Sequence, residues 1–166
     1  MKKSILVILL LTLSSQVFSQ VIELKEVVIT AVNYKYLNAV DSEENAISVQ
    51  ELEEKVAMFD IKSSEFYNDE YDTYNISFYI PDGKILAAYD KNGKLIRTIE
   101  KFKNVKLPSA VSSAIAKRFP NWTIVSDVYQ VVFHKSNDVV KKQYKVRLKN
   151  GDKKMKVKLD EKGNFE

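Results

Sequence analysis

The chain has 166 residues, of which 26 are Lys or Arg, 22 are Asp or Glu, one is His and none is Cys, which gives a formal net charge of +4. The lack of cysteine excludes a disulfide framework, thiol catalysis and thiolate metal sites, so burial of apolar side chains must hold the fold. The charge surplus is smaller than the one that nucleic-acid-binding domains concentrate, and we expect no nucleic-acid partner.

Residues 1–19 have the three parts of a secretory signal peptide. Lys2 and Lys3 form a basic start, residues 5–13 are almost wholly apolar, and Ser19 stands where signal peptidase favours a small side chain. The apolar run is about half of the ~20 residues that a spanning helix needs, which favours cleavage near Ser19 over a membrane anchor. We therefore expect a periplasmic or secreted protein with no stable membrane insertion after cleavage. The mature chain would keep 24 basic and 22 acidic residues.

Residues 20–46 are predicted to form a leading strand and a linker. The stretch 27–29 consists of branched apolar residues with strand character and lies within the leading segment 21–36. Residues 38–45 are polar and acidic, as expected of a linker.

Two segments have the periodicity of amphipathic helices. In residues 47–59, apolar side chains recur at steps of three and four, and Ser48 with Glu51 fits a capping box. In residues 107–119 the same period recurs. Pro108 suits a first helical turn, where its missing N–H costs nothing, and Pro120 ends the pattern.

Strands are predicted after each helix. In the first half they cover residues 64–67, 74–80, 84–89 and 94–100. In the second half they cover residues 123–133, 143–149 and 153–160, with a short piece at 164–165. The turn signals between them are Asp82-Gly83, Asn92-Gly93 and Asn150-Gly151.

The two halves match when the first is shifted by seventy residues. Tyr74 then falls on Tyr144, Asp90 on Asp160 and Gly93 on Gly163. The helices match at a shift of sixty, so about ten extra residues lie near 129–139 in the second half. This pattern predicts an α+β fold of two tandem repeats, residues 47–104 and 105–166, each a helix packed on an antiparallel sheet of about four strands. Chance alternation of strand residues is the alternative.

A family resemblance is carried by residues 83–96, 107–111, 119–122, 144–148 and 160–163. In these segments the chain resembles the PepSY-like, beta-lactamase-inhibitor-like proteins of the bacterial envelope. The resemblance implies a tandem repeat whose sheet can present a concave face to another protein, and it supplies no catalytic residues. No contact motif for inhibition of a beta-lactamase is matched, although an inhibitory role remains open.

Alternation along the predicted strands places two sets of candidate binding residues on the face away from the helices. The basic set in the second half is Lys145, Arg147, Lys149, Lys154, Lys156 and Lys158. It would suit an anionic partner such as an acidic protein patch, a polysaccharide or a lipid head group. The alternative is a solvated face that lysine keeps soluble. In the first half Tyr79 and Leu86 face outward, either as interface anchors or covered by residues 21–36.

Catalytic and metal-binding patterns are weak. The acidic stretch 65–72 has no turn glycine for a calcium loop, and the two Asp-x-x-Gly segments are short enough to be tight turns. His134 is the only histidine, and no nucleophile-elbow or phosphate-binding motif occurs. We therefore expect no catalytic residue, metal or cofactor. The leading interpretation is a non-catalytic binding module, followed by a structural or accessory domain with self-covered faces, and then by a hydrolase relying on His134. The identity of the partner, the physiological role and the oligomeric state are not predicted.

Overall fold

The computed structural model describes residues 33–42, 44–137 and 139–166. The predicted signal peptide and the predicted leading strand up to residue 32 lie outside the described residues. The helices are α1 (Tyr34–Val40), α2 (Ile47–Met58) and α3 (Ser109–Arg118). The strands are β1 (Thr73–Ile80), β2 (Gly83–Asp90), β3 (Leu95–Lys103), β4 (Thr123–His134), β5 (Val139–Asn150) and β6 (Lys153–Leu159). Short 3-10 turns cover Ile61–Ser63 and Lys135–Asn137.

The six strands form one antiparallel sheet in chain order, from β1 at one edge to β6 at the other. Because side chains alternate along each strand, the sheet has an inner face toward the helices and an outer face away from them. Inner-face side chains that are buried include Tyr74, Ile85, Ala87, Tyr89, Phe102, Tyr129, Val131, Phe133, Tyr144, Val146, Leu148 and Leu159. The predicted α+β class with an antiparallel sheet is confirmed.

The helices cover the inner face because each one carries an apolar stripe. On α2 the buried side chains Val49, Leu52 and Val56 recur at three- and four-residue steps. The hydroxyl of Tyr89 on β2 donates to the carbonyl of Val56 at 3.0 Å, which ties the end of α2 to the sheet. The predicted capping box does not form: Ala46 is the N-cap, so Ser48 lies inside the first turn. Within the described part of the chain, no helix combines the length and apolarity needed to cross a bilayer.

The predicted leading strand and linker of residues 20–46 give way to a helix over part of the segment. Residues from Tyr34 to Val40 form α1 instead. Tyr36 and Val40 are four residues apart and both are buried, so they share one face of a helix. The Tyr36 ring packs edge-on against Phe133 with 5.3 Å between ring centroids. Tyr36 and Val40 are the buried residues of the helix, and a single four-residue step is too short to show a helical period in the sequence.

The predicted number of about four strands in each half is also wrong, because each half supplies three. Residues 64–67 form turns, with the Tyr67 N–H bonded to the Ser64 carbonyl at 3.2 Å. Within the described part of the chain, β1 is an edge strand that pairs only with β2. At the chain end, only an isolated bridge between Leu159 and Phe165 forms. The extra residues near 129–139 belong to the twelve-residue strand β4 and the turn after it, and β4 pairs with both β3 and β5. The two halves therefore share one sheet.

The outermost hairpins of the sheet have the same register seventy residues apart. In β1–β2 the pairs are Tyr74↔Tyr89, Ile76↔Ala87 and Phe78↔Ile85. In β5–β6 the pairs are Tyr144↔Leu159, Val146↔Val157 and Leu148↔Met155. The residues that the shift aligns thus occupy equivalent inward positions.

The turns that follow these hairpins are also built alike. The Asp90 carboxylate accepts from the N–H groups of Asn92 and Lys94, both at 2.9 Å. Asp160 accepts from the N–H groups seventy residues later, Lys162 at 2.9 Å and Asn164 at 2.8 Å. The glycines that follow have φ values of 80° at Gly93 and 82° at Gly163, the left-handed region that glycine enters without a steric cost. The predicted tight-turn role of both Asp-x-x-Gly segments is confirmed.

Candidate binding face of the sheet

The outer face of the sheet is strongly cationic. The strand register places eleven basic side chains on it: Lys84, Arg97, Lys101, Lys103, Lys141, Lys145, Arg147, Lys149, Lys154, Lys156 and Lys158. The one carboxylate at an outward strand position is Asp90, which accepts hydrogen bonds from its own turn. The face therefore carries a concentrated positive charge on a chain whose net charge is small.

The six predicted basic residues lie together on the outer face of β5 and β6, and we call them the basic ladder. The register pairs them directly as Lys145↔Lys158, Arg147↔Lys156 and Lys149↔Lys154. Directly opposed side chains have Cβ atoms about 4.5–5.5 Å apart, so like charges in these rows repel each other. Within the described residues, the ion pairs are Lys91–Asp72, Lys141–Glu166 and Lys142–Glu161. No carboxylate of the described chain therefore neutralises the basic ladder.

A shallow depression lies at one end of the basic ladder. It is lined by Val125, Arg147, Lys149, Lys154, Met155 and Lys156. Val125 is the bulged residue between Ile124 and Ser126 in β4, and its side chain is 48% exposed. A bulge leaves one residue unpaired and turns its side chain away from the regular pleat. An anion bound here would meet apolar surface as well as charge.

The other end of the outer face, on β1 to β3, is more apolar. Tyr79 is 68% exposed and Leu86 is 38% exposed, at the outward positions that were predicted. Ile99 pairs with Leu86 across the β2–β3 ladder and adds to this apolar patch. Sequence reasoning missed Ile99 and the directly opposed pair Lys84↔Lys101. In residues 97–103 the basic residues occupy every second position except that of Ile99, and this spacing was the signal that could have found them.

His134 ends β4 on the outer face, opposite Arg97 of β3. Its Nδ1 atom lies 2.7 Å from the hydroxyl oxygen of Ser136, two residues further along the chain. This is a contact between neighbours in the turn after β4. Among residues 33–42, 44–137 and 139–166, no group of three or more His, Cys, Asp or Glu side chains is placed to hold a metal ion.

Two glutamates are buried under the inner face, where the sequence analysis expected none. Glu53 of α2 is 1% exposed and Glu100 of β3 is fully buried. Glu100 Oε1 accepts from the hydroxyls of Tyr36 at 2.9 Å and Thr98 at 2.7 Å. The pKa of each of these two carboxyls depends on the presence of the other. In the sequence, Glu53 lies four residues after Val49 and three before Val56, on the apolar face of the predicted helix, and this spacing could have indicated that it is buried.

Burial is the main cause of an upward pKa shift in both carboxyls. It raises the pKa of Glu53 to about 9, and the nearby Glu100 adds to the shift, while the charge of Lys142 opposes it. Burial also raises the pKa of Glu100 to about 7, although the hydrogen bonds from Thr98 and Tyr36 lower it. The Lys142 ammonium points toward Glu161 at 3.5 Å. The pair therefore holds protons under the helices at neutral pH.

Comparison with known proteins identifies a weak structural similarity to a solved protein. No protein-family model matches the chain. No curated protein matches it either. Among solved structures, a BLIP-like protein from Bacteroides fragilis aligns with a TM-score of 0.33 and 18% sequence identity, covering 58% of this chain and 66% of that protein. A TM-score of this size does not establish a common fold.

Proposed function

We propose that this chain is an exported, non-catalytic binding module whose outer sheet face binds an anionic surface. The observation that carries the proposal is the basic ladder, in which three rows of like charges stand directly opposite each other without a carboxylate partner in the described chain. The signal-peptide pattern supports export, and the place of binding would then be the periplasm or the cell exterior.

The ladder is an energetically unfavourable arrangement for the free protein. Like charges directly across a strand pair destabilise it by roughly 0.2–1 kcal/mol per pair. An anionic partner would remove this repulsion and gain attraction, so binding and stability are coupled. A solubilising role alone needs fewer cations, because charges scattered over an edge already discourage strand pairing.

The dimensions of the ladder indicate the kind of partner. Three rows at two-residue steps span about 14 Å along the strands, and the two columns lie about 5 Å apart. A single small anion would contact only part of this area. The fitting partner is an array of carboxylates or phosphates, as on an acidic protein patch or an envelope polymer, and for a protein partner binding could inhibit its activity. The exposed Tyr79, Leu86 and Ile99 would add apolar contacts beside the charges.

The equal registers of the outermost hairpins support a finer proposal, a tandem repeat of helix and antiparallel strands. The residues of β1–β2 and β5–β6 pair identically at a shift of seventy, and both hairpins end in the same Asp-x-x-Gly turn. In this interpretation the outer face of the second copy carries the basic ladder, while that of the first copy combines basic side chains with the exposed Tyr79, Leu86 and Ile99. The PepSY-like resemblance agrees with this organisation.

Charge reversal tests the binding proposal directly. The variant carries Lys154→Glu, Lys156→Glu and Lys158→Glu, and the probes are polyglutamate, a sulfated polysaccharide and vesicles containing phosphatidylglycerol. We expect the wild type to bind at least one probe at low salt and the variant to lose that binding. The probe that binds then distinguishes a protein-like, a polysaccharide or a lipid partner.

A matched control separates a specific surface from net charge. Lys55, Lys62 and Lys117 are exposed and lie outside the outer sheet face, so their reversal to Glu changes the charge equally. The proposal requires this control to retain binding. Equal loss in both variants, or no binding of any probe by the wild type, would remove it.

The second candidate is a structural or accessory domain that covers its own outer face. The apolar patch of Tyr79, Leu86 and Ile99 is the observation that favours it. Deleting residues 20–32 discriminates, because Tyr36 is a core residue and must stay. A large loss of stability on deletion supports self-covering, whereas unchanged stability and retained anion binding support the binding module.

A further inference from the structure

The two edges of the sheet are built differently. The edge strand β6 carries four lysines in seven residues, Lys153, Lys154, Lys156 and Lys158. Its far end is also covered, since Leu159 is bridged to Phe165 and the Glu166 N–H bonds to the Lys158 carbonyl at 3.0 Å. Charge and coverage are the usual means by which an edge strand is kept from pairing with another chain.

The opposite edge strand, β1, lacks these protections. Its eight residues, Thr73–Ile80, include no charged residue, glycine or proline, and most of them favour strands. An antiparallel edge strand leaves alternate backbone N–H and C=O groups pointing outward. Among the described residues, no turn or loop backbone group bonds to the backbone of β1. Among residues 33–42, 44–137 and 139–166, no strand therefore occupies this edge.

Side chains on both sides of β1 are incompletely covered. On the outer side Tyr79 is 68% exposed. On the inner side Ile76, Phe78 and Ile80 are only half-buried, although Ala87 and Ile85, the β2 partners of the first two, are fully buried. An added strand would cover apolar surface on both faces and satisfy the outward backbone groups together.

We propose that β1 pairs with β1 of a second copy of this chain, forming a two-fold dimer with one continuous sheet. Antiparallel pairing about an axis perpendicular to the sheet is self-complementary, and it keeps both inner faces on the same side. With the axis at Ser77, Ile76 lies opposite Phe78 of the second copy, and Tyr74 lies opposite Ile80. The apolar inward residues then meet each other.

Charge favours a second copy at this edge and disfavours one at the other. Pairing through β6 would bring its lysines against those of the partner. Pairing through β1 leaves the two basic ladders about 40 Å apart, counted at a strand spacing of about 4.8 Å. This separation is far larger than the ~8 Å screening length at physiological salt, so the two ladders hardly repel each other.

The test uses analytical ultracentrifugation of the mature chain with charged variants at Ser77, which is exposed. Ser77→Lys and Ser77→Asp each place like charges opposite each other across the axis, so each variant alone should sediment as a monomer. An equimolar mixture places Lys against Asp and should regain the dimer. Asn92→Lys adds the same charge on an exposed turn and should leave the wild-type dimer intact.

Circular dichroism melting of each variant confirms that the monomers are folded. A wild type that sediments as a monomer overturns the proposal and leaves the edge to a strand of another protein. A wild type that dimerises only after residues 20–32 are removed assigns the edge to the chain's own leading segment instead. A dimer that persists unchanged in both Ser77 variants places the interface elsewhere. None of these results depends on whether the basic ladder binds anions.

Discussion

Replacement of Glu53 by glutamine should weaken a pH dependence of stability that arises from two buried carboxyl groups. Glu53 and Glu100 lie buried together, and burial raises the pKa of each above the ordinary value of 4.5. The folded chain therefore keeps protons that the unfolded chain has already released. Stability is then greatest below the unfolded pKa and falls as the pH rises through the folded values of about 7 and about 9.

The size of the effect follows from proton linkage. Each extra proton held by the folded state changes the free energy of unfolding by about 1.4 kcal/mol per pH unit. At least one such proton is held between about pH 6 and about pH 8, so the wild type should lose about 3 kcal/mol over that interval. This is a large part of the ~5–15 kcal/mol by which domains are stable.

Glu53→Gln removes one titrating carboxyl and keeps a donor for Glu100, so its stability should depend much less on pH over the same interval. Glu54→Gln, on the exposed side of α2, is the matched control and should behave like the wild type. The assay is urea unfolding followed by circular dichroism at several pH values. Asp127, whose pKa burial also raises, contributes equally to all three proteins. A wild type whose stability is flat or rises with pH, or a variant with an unchanged slope, would refute the reasoning.

Three further substitutions test the turns and the histidine. Gly163→Ala and Gly93→Ala both force alanine into a left-handed backbone conformation, which costs roughly 1–2 kcal/mol. At residue 163 the added Cβ would also lie 2.6 Å from the Ala110 carbonyl oxygen. Gly163→Ala should therefore have the lower melting temperature of the two variants. Equal melting temperatures would mean that α3 shifts away freely. His134→Ala should change the free energy of unfolding by less than about 0.5 kcal/mol and leave unchanged any hydrolytic activity detected in the preparation. Loss of such an activity would instead support the hydrolase hypothesis.

Hydrophobic periodicity correctly predicted those helices and strands in which buried and exposed side chains recur at regular intervals along the sequence. The helices α2 and α3 and the hairpins β1–β2 and β5–β6 lie where three- and four-residue steps, alternation and turn residues placed them. The basic ladder followed from the same alternation, because cationic and apolar residues take turns along residues 144–149 of β5 and 154–159 of β6. For these residues, local pattern and tertiary position agree.

Features that depend on contacts distant in sequence could not be predicted this way. The helix α1 has only Tyr36 and Val40 as its buried stripe, and its stability comes from packing on β4 and from Glu100. Residues 64–67 have strand-forming side chains but no neighbouring strand to pair with. Glu53 looked solvent-exposed because its partner Glu100 lies on a strand 47 residues away.

The most direct test of the anion-binding proposal is a nuclear magnetic resonance titration of the isotopically labelled mature protein with polyglutamate and, separately, with a sulfated polysaccharide. The account predicts saturable shifts concentrated in the signals of Lys145, Arg147, Lys149, Lys154, Lys156 and Lys158, with the helices unperturbed. Shifts spread evenly over all surface lysines, or centred on α2 and α3, would contradict it.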